Sequence, residues 1–217
     1  MNILILSPHT DDAEIGAGAT ISKYIDAGHN ILWVVFSTCE ESLPEGMDKD
    51  TLKKEFKSVV DFLKVESITF GYKVRKLNDH RQEVLEDLRK IRADFEPDLV
   101  IGPSLNDFHQ DHQVVANEMV RAFKTTCSII CYELPWNHLQ YNTQMFVRFD
   151  RMTLEKKIHL VNFYSSQMEV RSVYFKQDFI RSLATVRGAQ INSDYAEAFE
   201  VIRWIINFDE DSPTFCL

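Results

Sequence analysis

No stretch of this 217-residue chain stays apolar for the roughly 20 residues that a bilayer-spanning helix needs, so no membrane span is expected. The apolar start, Met1 to Ser7, lacks the basic flank and small-residue cleavage site of a secretion signal. The four cysteines, Cys39, Cys127, Cys131 and Cys216, form no Cys-x-x-Cys pair and no disulfide framework. They are expected to be reduced thiols in a cytoplasmic protein. Positive charge is scarce. Lys and Arg number 24 against 33 Asp and Glu, and the net charge of -9 speaks against a nucleic-acid partner. An anionic small substrate stays open, because a pocket can oppose the overall sign. The first arginine is Arg75. Gly16 and Gly18 follow the first apolar run without completing Gly-x-Gly-x-x-Gly, and there is no Gly-Lys-Ser/Thr loop. Internal repeats, low-complexity tracts and Gly/Ser linkers are missing too. One domain over 1–217 is expected.

What remains is a regular alternation. Asn2 to Ser7, Ile31 to Phe36, Glu66 to Phe70, Asp98 to Gly102 and Cys127 to Tyr132 have the length and apolar content of buried strands. Between them Glu14 to Ala27, Asp50 to Val65, Arg81 to Phe95 and Gln113 to Lys124 have apolar residues at helical spacing. The pattern predicts an α/β, Rossmann-like fold: a mostly parallel sheet with helices on both faces. Beyond Pro135 the alternation is irregular. Thr153 to Tyr164 and Asp178 to Arg187 read as helices, and Tyr195 to Phe199 reads either as an edge strand carrying Glu197 toward a site or as core closure.

Sites in such sheets form at the carboxyl ends of strands. The loop after the first strand reads Ser7-Pro8-His9-Thr10-Asp11-Asp12-Ala13-Glu14, and the loop after the fourth reads Asn106-Asp107-Phe108-His109-Gln110-Asp111-His112. Imidazole nitrogen with carboxylate oxygen is a ligand set that suits zinc. The two loops hold enough such groups to bind an ion and leave one carboxylate as a general base and one histidine for a developing oxyanion or leaving amine. Taken alone, an acidic pair after a first strand also fits a phosphoacceptor receiver domain. That fold needs an aspartate after its third strand, where this chain has Phe70-Gly71-Tyr72. A lone His9 is more often a core residue than a ligand; the pairing of the two loops carries the metal reading.

These loops resemble the paired signatures of the LmbE-like, or PIG-L, family of zinc-dependent N-deacetylases, Pro-His-Pro-Asp-Asp…Gly and His-x-Asp-His. Phe36 to Ser42, Glu55, Tyr164 to Gln167, Arg187-Gly188 and Tyr195 to Phe199 are similar to further family segments. The resemblance implies that His9, Asp12 and His112 hold Zn2+ or another divalent ion and that Asp11 is the general base. It implies that His109 steadies the tetrahedral intermediate or protonates the amine. Asp111 would orient His109 and favour its protonated form. The implied reaction removes the N-acetyl group of an N-acetylglucosamine-type sugar or its conjugate, the expected small-molecule partner; a homo-oligomer is left open. Departures are Thr10 and Gln110 for prolines, Cys39 where glycine is common, Gln113 where arginine often follows, and Lys53-Lys54 where an arginine is frequent.

Four further residues are candidates for substrate contact, each with a plainer reading. Glu40 and Glu41 either reach a sugar hydroxyl or belong to a solvated acidic loop. Trp136 either stacks on a sugar or anchors the C-terminal third. Arg187 either meets an anionic substrate group or fixes a loop. The rival functions are a non-catalytic ligand-binding module on the same sheet and a metal hydrolase of another amide or acyl group.

Overall fold

The computed structural model describes residues 1–170 and 173–206; Cys216 lies outside them. Five strands, β1 (Asn2–His9), β2 (Asn30–Ser37), β3 (Glu66–Thr69), β4 (Leu99–Pro103) and β5 (Ser128–Tyr132), pair in parallel in the order β3-β2-β1-β4-β5. Helices α1 (Asp12–Asp26), α2 (Thr51–Leu63), α3 (Arg81–Phe95) and α4 (Gln110–Phe123) make the crossovers. The expected Rossmann-like alternation is present.

Side chains alternate across a strand, so a continuously apolar strand feeds a core on each face. On one face Ile3, Ile5 and Trp33 meet Ile15 of α1 and Phe56 of α2. On the other, Leu4, Leu6 and Phe36 meet Leu85 and Leu88 of α3 and Met119 and Phe123 of α4.

The C-terminal third adds β6 (Met145–Phe149), α5 (Arg151–Asn162), α6 (Ser165–Val170), α7 (Gln177–Ala189) and β7 (Tyr195–Arg203). β7 corrects one expectation. It is not an edge strand but lies between β5 and β6, antiparallel to both. Nor does Glu197 reach the loops after β1 and β4. It accepts from the Ala19 and Thr20 N–H groups, the Thr20 hydroxyl and Lys157 Nζ, which ties β7 to α1 and α5. β6 was not legible as a strand, because Gln144 to Arg148 mixes polar and apolar residues without clean alternation.

The strand order decides where a site can form. From β1 the chain winds outward through β2 and β3, then returns to β4 on the opposite side of β1. The crevice at this reversal opens between the carboxyl ends of β1 and β4. The two histidine- and aspartate-bearing loops leave the sheet there.

Candidate active site

The first loop is short because α1 begins early. Asp11 is its N-cap residue, and the helix starts at Asp12, two residues before the apolar spacing suggested. Gly16 lets α1 sit hard against β5: a Cβ there would lie 2.6 Å from the Tyr132 ring, whose hydroxyl donates to the Leu6 carbonyl. Tyr164 secures the same loop from α6's side, donating to the Thr10 carbonyl and contacting Glu14. Burial pushes the Glu14 carboxyl well above the usual range. The second loop ends in α4, which starts at Gln110, so His112 stands on its first turn.

Three donor atoms converge there. His9 Nδ1 lies 3.2 Å from His112 Nε2, His112 Nε2 lies 3.2 Å from Asp12 Oδ2, and His9 Nδ1 lies 3.3 Å from Asp12 Oδ2. Ligands held at 2.0–2.1 Å in a tetrahedral zinc site would be separated by about 3.3 Å. His109 is nearby, its ring 4.8 Å from that of His9 and 4.7 Å from that of His112. Donor atoms of all three histidines fall within 4.8 Å of one another, but the triangle through Asp12 is the tighter set.

The far side of the His9 and His112 rings meets a carboxylate in each case. His9 Nε2 is 3.0 Å from Asp111 Oδ2, and His112 Nδ1 is 2.7 Å from Asp107 Oδ2. Such partners hold the ring proton on the outer nitrogen and leave the inner lone pair facing the centre. Asp12 Oδ2 is itself fixed by the His9 N–H at 2.8 Å. Asp107, Asp111 and Asp12 are 1%, 0% and 7% exposed, and buried carboxylates need a cation or hydrogen bonds to offset desolvation.

Ionisation points the same way. Burial disfavours charge on His9 and His112, but Asp12 and the flanking carboxylates outweigh it, raising His9 and taking His112 up to about 10. Burial would raise Asp12, yet His112 and His9 hold it well below the usual carboxylate range. The centre of the triangle favours positive charge. Inward lone pairs, near-tetrahedral spacing and surrounding carboxylates fit a divalent ion held by His9, Asp12 and His112.

Residue 111 contacts His109 differently from what the resemblance implied. The Asp111 carboxylate accepts from His9 Nε2 and from the Arg75 and Leu77 N–H groups. Its backbone N–H, not its side chain, donates to His109 Nδ1 at 3.2 Å. Burial, with His9 and His112 adding to it, pushes His109 down to about 4. With the Asp111 N–H donating to Nδ1, a neutral His109 ring carries its proton on Nε2.

A cavity of about 210 Å³ opens onto these groups and onto Asp11. Trp136 lines it and stacks on Tyr174 with ring centroids 4.0 Å apart. Glu40 and Glu41 do not line it. They are exposed on a short 3-10 turn, while Cys39 and Ser42 face the cavity. Cys39 has φ 54°, a backbone region that glycine enters at least cost, which explains why glycine suits that position. Arg187 lies elsewhere, pairing through two nitrogens with the Glu133 carboxylate and holding the loop after β5 to α7. Asp107, Arg75 and Gln167 are site residues that the motifs did not assign. Asp107 had a weak signal, five residues before His112; Arg75 comes from the loop after β3 and Gln167 from α6, both remote in sequence from the two loops.

Similarity to known proteins agrees with this geometry. The PIG-L family model, described as GlcNAc-PI de-N-acetylase, matches residues 4–123. The uncharacterized deacetylase YaiS of Escherichia coli (strain K12) is 28% identical over 148 residues, covering 66% of this chain and 80% of that protein. Among solved structures, N,N'-diacetylchitobiose deacetylase from Pyrococcus horikoshii superposes with a TM-score of 0.75 at 20% identity, over 93% of this chain and 83% of that one. The 4-carboxy-2-hydroxymuconate hydratase GalB of Pseudomonas putida KT2440 reaches 0.73 at 17% identity, over 96% and 98%. At such identities the two structures speak for the fold, which hosts a hydratase as well as a deacetylase. The matched segment spans more than half of the chain and contains both loops of the donor triangle, and the chain belongs to the PIG-L, or LmbE-like, deacetylase family.

Proposed function

We propose that this protein is a metal-dependent hydrolase that removes the N-acetyl group from an N-acetylglucosamine-type sugar or its conjugate. The observation that carries the reading is the triangle of His9 Nδ1, Asp12 Oδ2 and His112 Nε2, with carboxylates behind both rings. Zinc suits two nitrogens and one oxygen at this spacing. When bound, it supplies Lewis acidity, lowering the pKa of water and polarising the amide carbonyl.

The chain's own groups do the rest. Asp11, beside the triangle in the cavity, takes the proton of the attacking water and passes it to the leaving nitrogen. His109 donates its Nε2 proton as a hydrogen bond to the carbonyl oxygen as negative charge develops there. A neutral donor serves here, since it need not lose its proton. Water adds to the carbonyl carbon, the carbon–nitrogen bond breaks, and acetate and a free amine result. The Trp136–Tyr174 pair offers an aromatic wall for one sugar ring, and the cavity is below the roughly 300–1,000 Å³ of common ligand sites.

Acetate release by zinc-loaded protein from N-acetylglucosamine glycosides is the test. Asp11→Asn is expected to keep one zinc per chain and lose about 10²- to 10⁴-fold in kcat, the usual span for a general base. Normal turnover in that variant would refute the base assignment. The rival raised by the fold is a hydratase, which releases no acetate from any of these glycosides.

A further inference from the structure

The loop after β3 supplies a cation to this site that no motif announced. Arg75 lines the catalytic cavity, and its guanidinium has no hydrogen-bond or ion-pair partner among the described residues. It also lines a second cavity of about 410 Å³, shared with Lys76, Gln113 and Asn117. Unpaired surface arginines are common, and solvent alone satisfies many of them. Two features set this one apart. Its backbone is at φ 64°, a costly region for a side-chain-bearing residue. And its N–H is clamped at 2.6 Å by Asp111, the carboxylate that also holds His9. The metal site's own support thus fixes the base of Arg75 in a strained position between the two cavities.

The neighbouring cations are otherwise engaged. Arg81, at the far cavity, is bound through two nitrogens to Glu118, and Lys76 lies 3.9 Å from Asp79. No arginine precedes Arg75 in the chain, and α2 carries only lysines at the position where the family often has an arginine.

We propose that Arg75 binds an anionic group on the substituent of the sugar, so that the substrate is a conjugate carrying a carboxylate or phosphate. The sugar ring would occupy the smaller cavity and the charged substituent the larger, with the guanidinium at the boundary offering its planar fork. This rests on the deacetylase reading for the sugar, but not for the anion.

The experiment is calorimetric titration of the zinc-loaded full chain with three ligands. They are the neutral methyl glycoside of N-acetylglucosamine, its carboxymethyl glycoside and N-acetylglucosamine 1-phosphate, with acetate release followed in parallel. An anionic ligand is expected to bind about 10- to 100-fold tighter than the neutral one, the range for charge-assisted hydrogen bonds. Which anion binds tighter distinguishes carboxylate from phosphate. Arg75→Gln keeps an unbranched polar side chain and the backbone demand, though it is shorter and uncharged, and is expected to reduce that ratio to within about twofold; Arg75→Lys, without the fork, should fall between. Lys124→Gln, at the far end of α4, removes the same charge and is expected to preserve the ratio. Equal binding of neutral and anionic ligands overturns the proposal, as does a preference that survives in Arg75→Gln. Binding preference without acetate release sinks the deacetylase reading and leaves the anion subsite standing.

Discussion

Asp107 shows how much one residue beside a motif can matter. It takes no part in the donor triangle, yet its Oδ2 holds His112 Nδ1 at 2.7 Å and also contacts Asn137 of the turn after β5. Outer carboxylates of this kind orient the ring and raise its basicity toward a metal, and their loss typically costs 10- to 100-fold in affinity. Asp107→Asn is therefore expected to weaken zinc binding by about that factor, measured by competition with a chelating dye. Unchanged affinity would show that Asp107 serves only the fold. Asp11→Asn is the contrasting substitution, expected to change turnover and not metal content. The two variants separate ring support from proton transfer.

At the scale of elements, α1 is the part that positions the site, and its contacts are close. Gly16 faces Tyr132, which is fully buried and cannot swing away. Gly16→Ala is expected to push α1 outward and cost about 1–3 kcal/mol, the usual penalty for overpacking. A fall in Tm with a parallel loss of activity is the expected result, because Asp11 and Asp12 move with the helix. Beside α1, Glu197 of β7 and Lys157 of α5 form a buried pair at 2.6 Å, both side chains 4% exposed. Removing the lysine leaves a buried carboxylate with its hydrogen bonds to α1 but without its cation. Lys157→Met is expected to destabilise by about 3–5 kcal/mol in chemical denaturation while leaving zinc stoichiometry at one per folded chain. α6 is tied in a similar local way, with the Ser166 N–H and hydroxyl both donating to Glu55 of α2. This accounts for the resemblance of Glu55 and of the segment from Tyr164 to Gln167: they tie α6 and the first loop in place.

For the molecule as a whole, the site joins separate parts of the chain through charge. Asp12, Asp107 and Asp111 come from two loops about a hundred residues apart, and all are buried. A divalent ion bound there would offset their mutual repulsion only in the folded state. Zinc at about a hundred times its Kd is expected to stabilise the protein by about 2.7 kcal/mol, and a chain of this size gains roughly 2–4 °C in Tm for each kcal/mol. Chelation should lower Tm by roughly 5–10 °C, measured by differential scanning calorimetry with and without chelator. Equal melting in both conditions would argue against a resident metal. No helix among the described residues is long and apolar enough to cross a membrane.

Much of this was legible in the chain itself. Continuous apolar runs of strand length between loop signals suit strands buried on both faces, so the parallel sheet was expected from β1, β2, β4 and β5. The pairing of His9-Thr10-Asp11-Asp12 with His109-Gln110-Asp111-His112 pointed to a metal site because both loops end strands of one sheet. Other features depended on distance in space. The backbone of residue 111, not its carboxylate, meets His109, because α4 starts at Gln110 and turns the carboxylate toward His9. Arg187 was an open choice in sequence, and it pairs with Glu133, 54 residues away, which ties the loop after β5 to α7. β7 entered the interior of the sheet because β6 covers its outer edge. Sequence spacing reports which residues share a loop or a helix face. Which carboxylate reaches which ring, and which guanidinium stays unpaired, is decided by the packing of segments that spacing cannot relate.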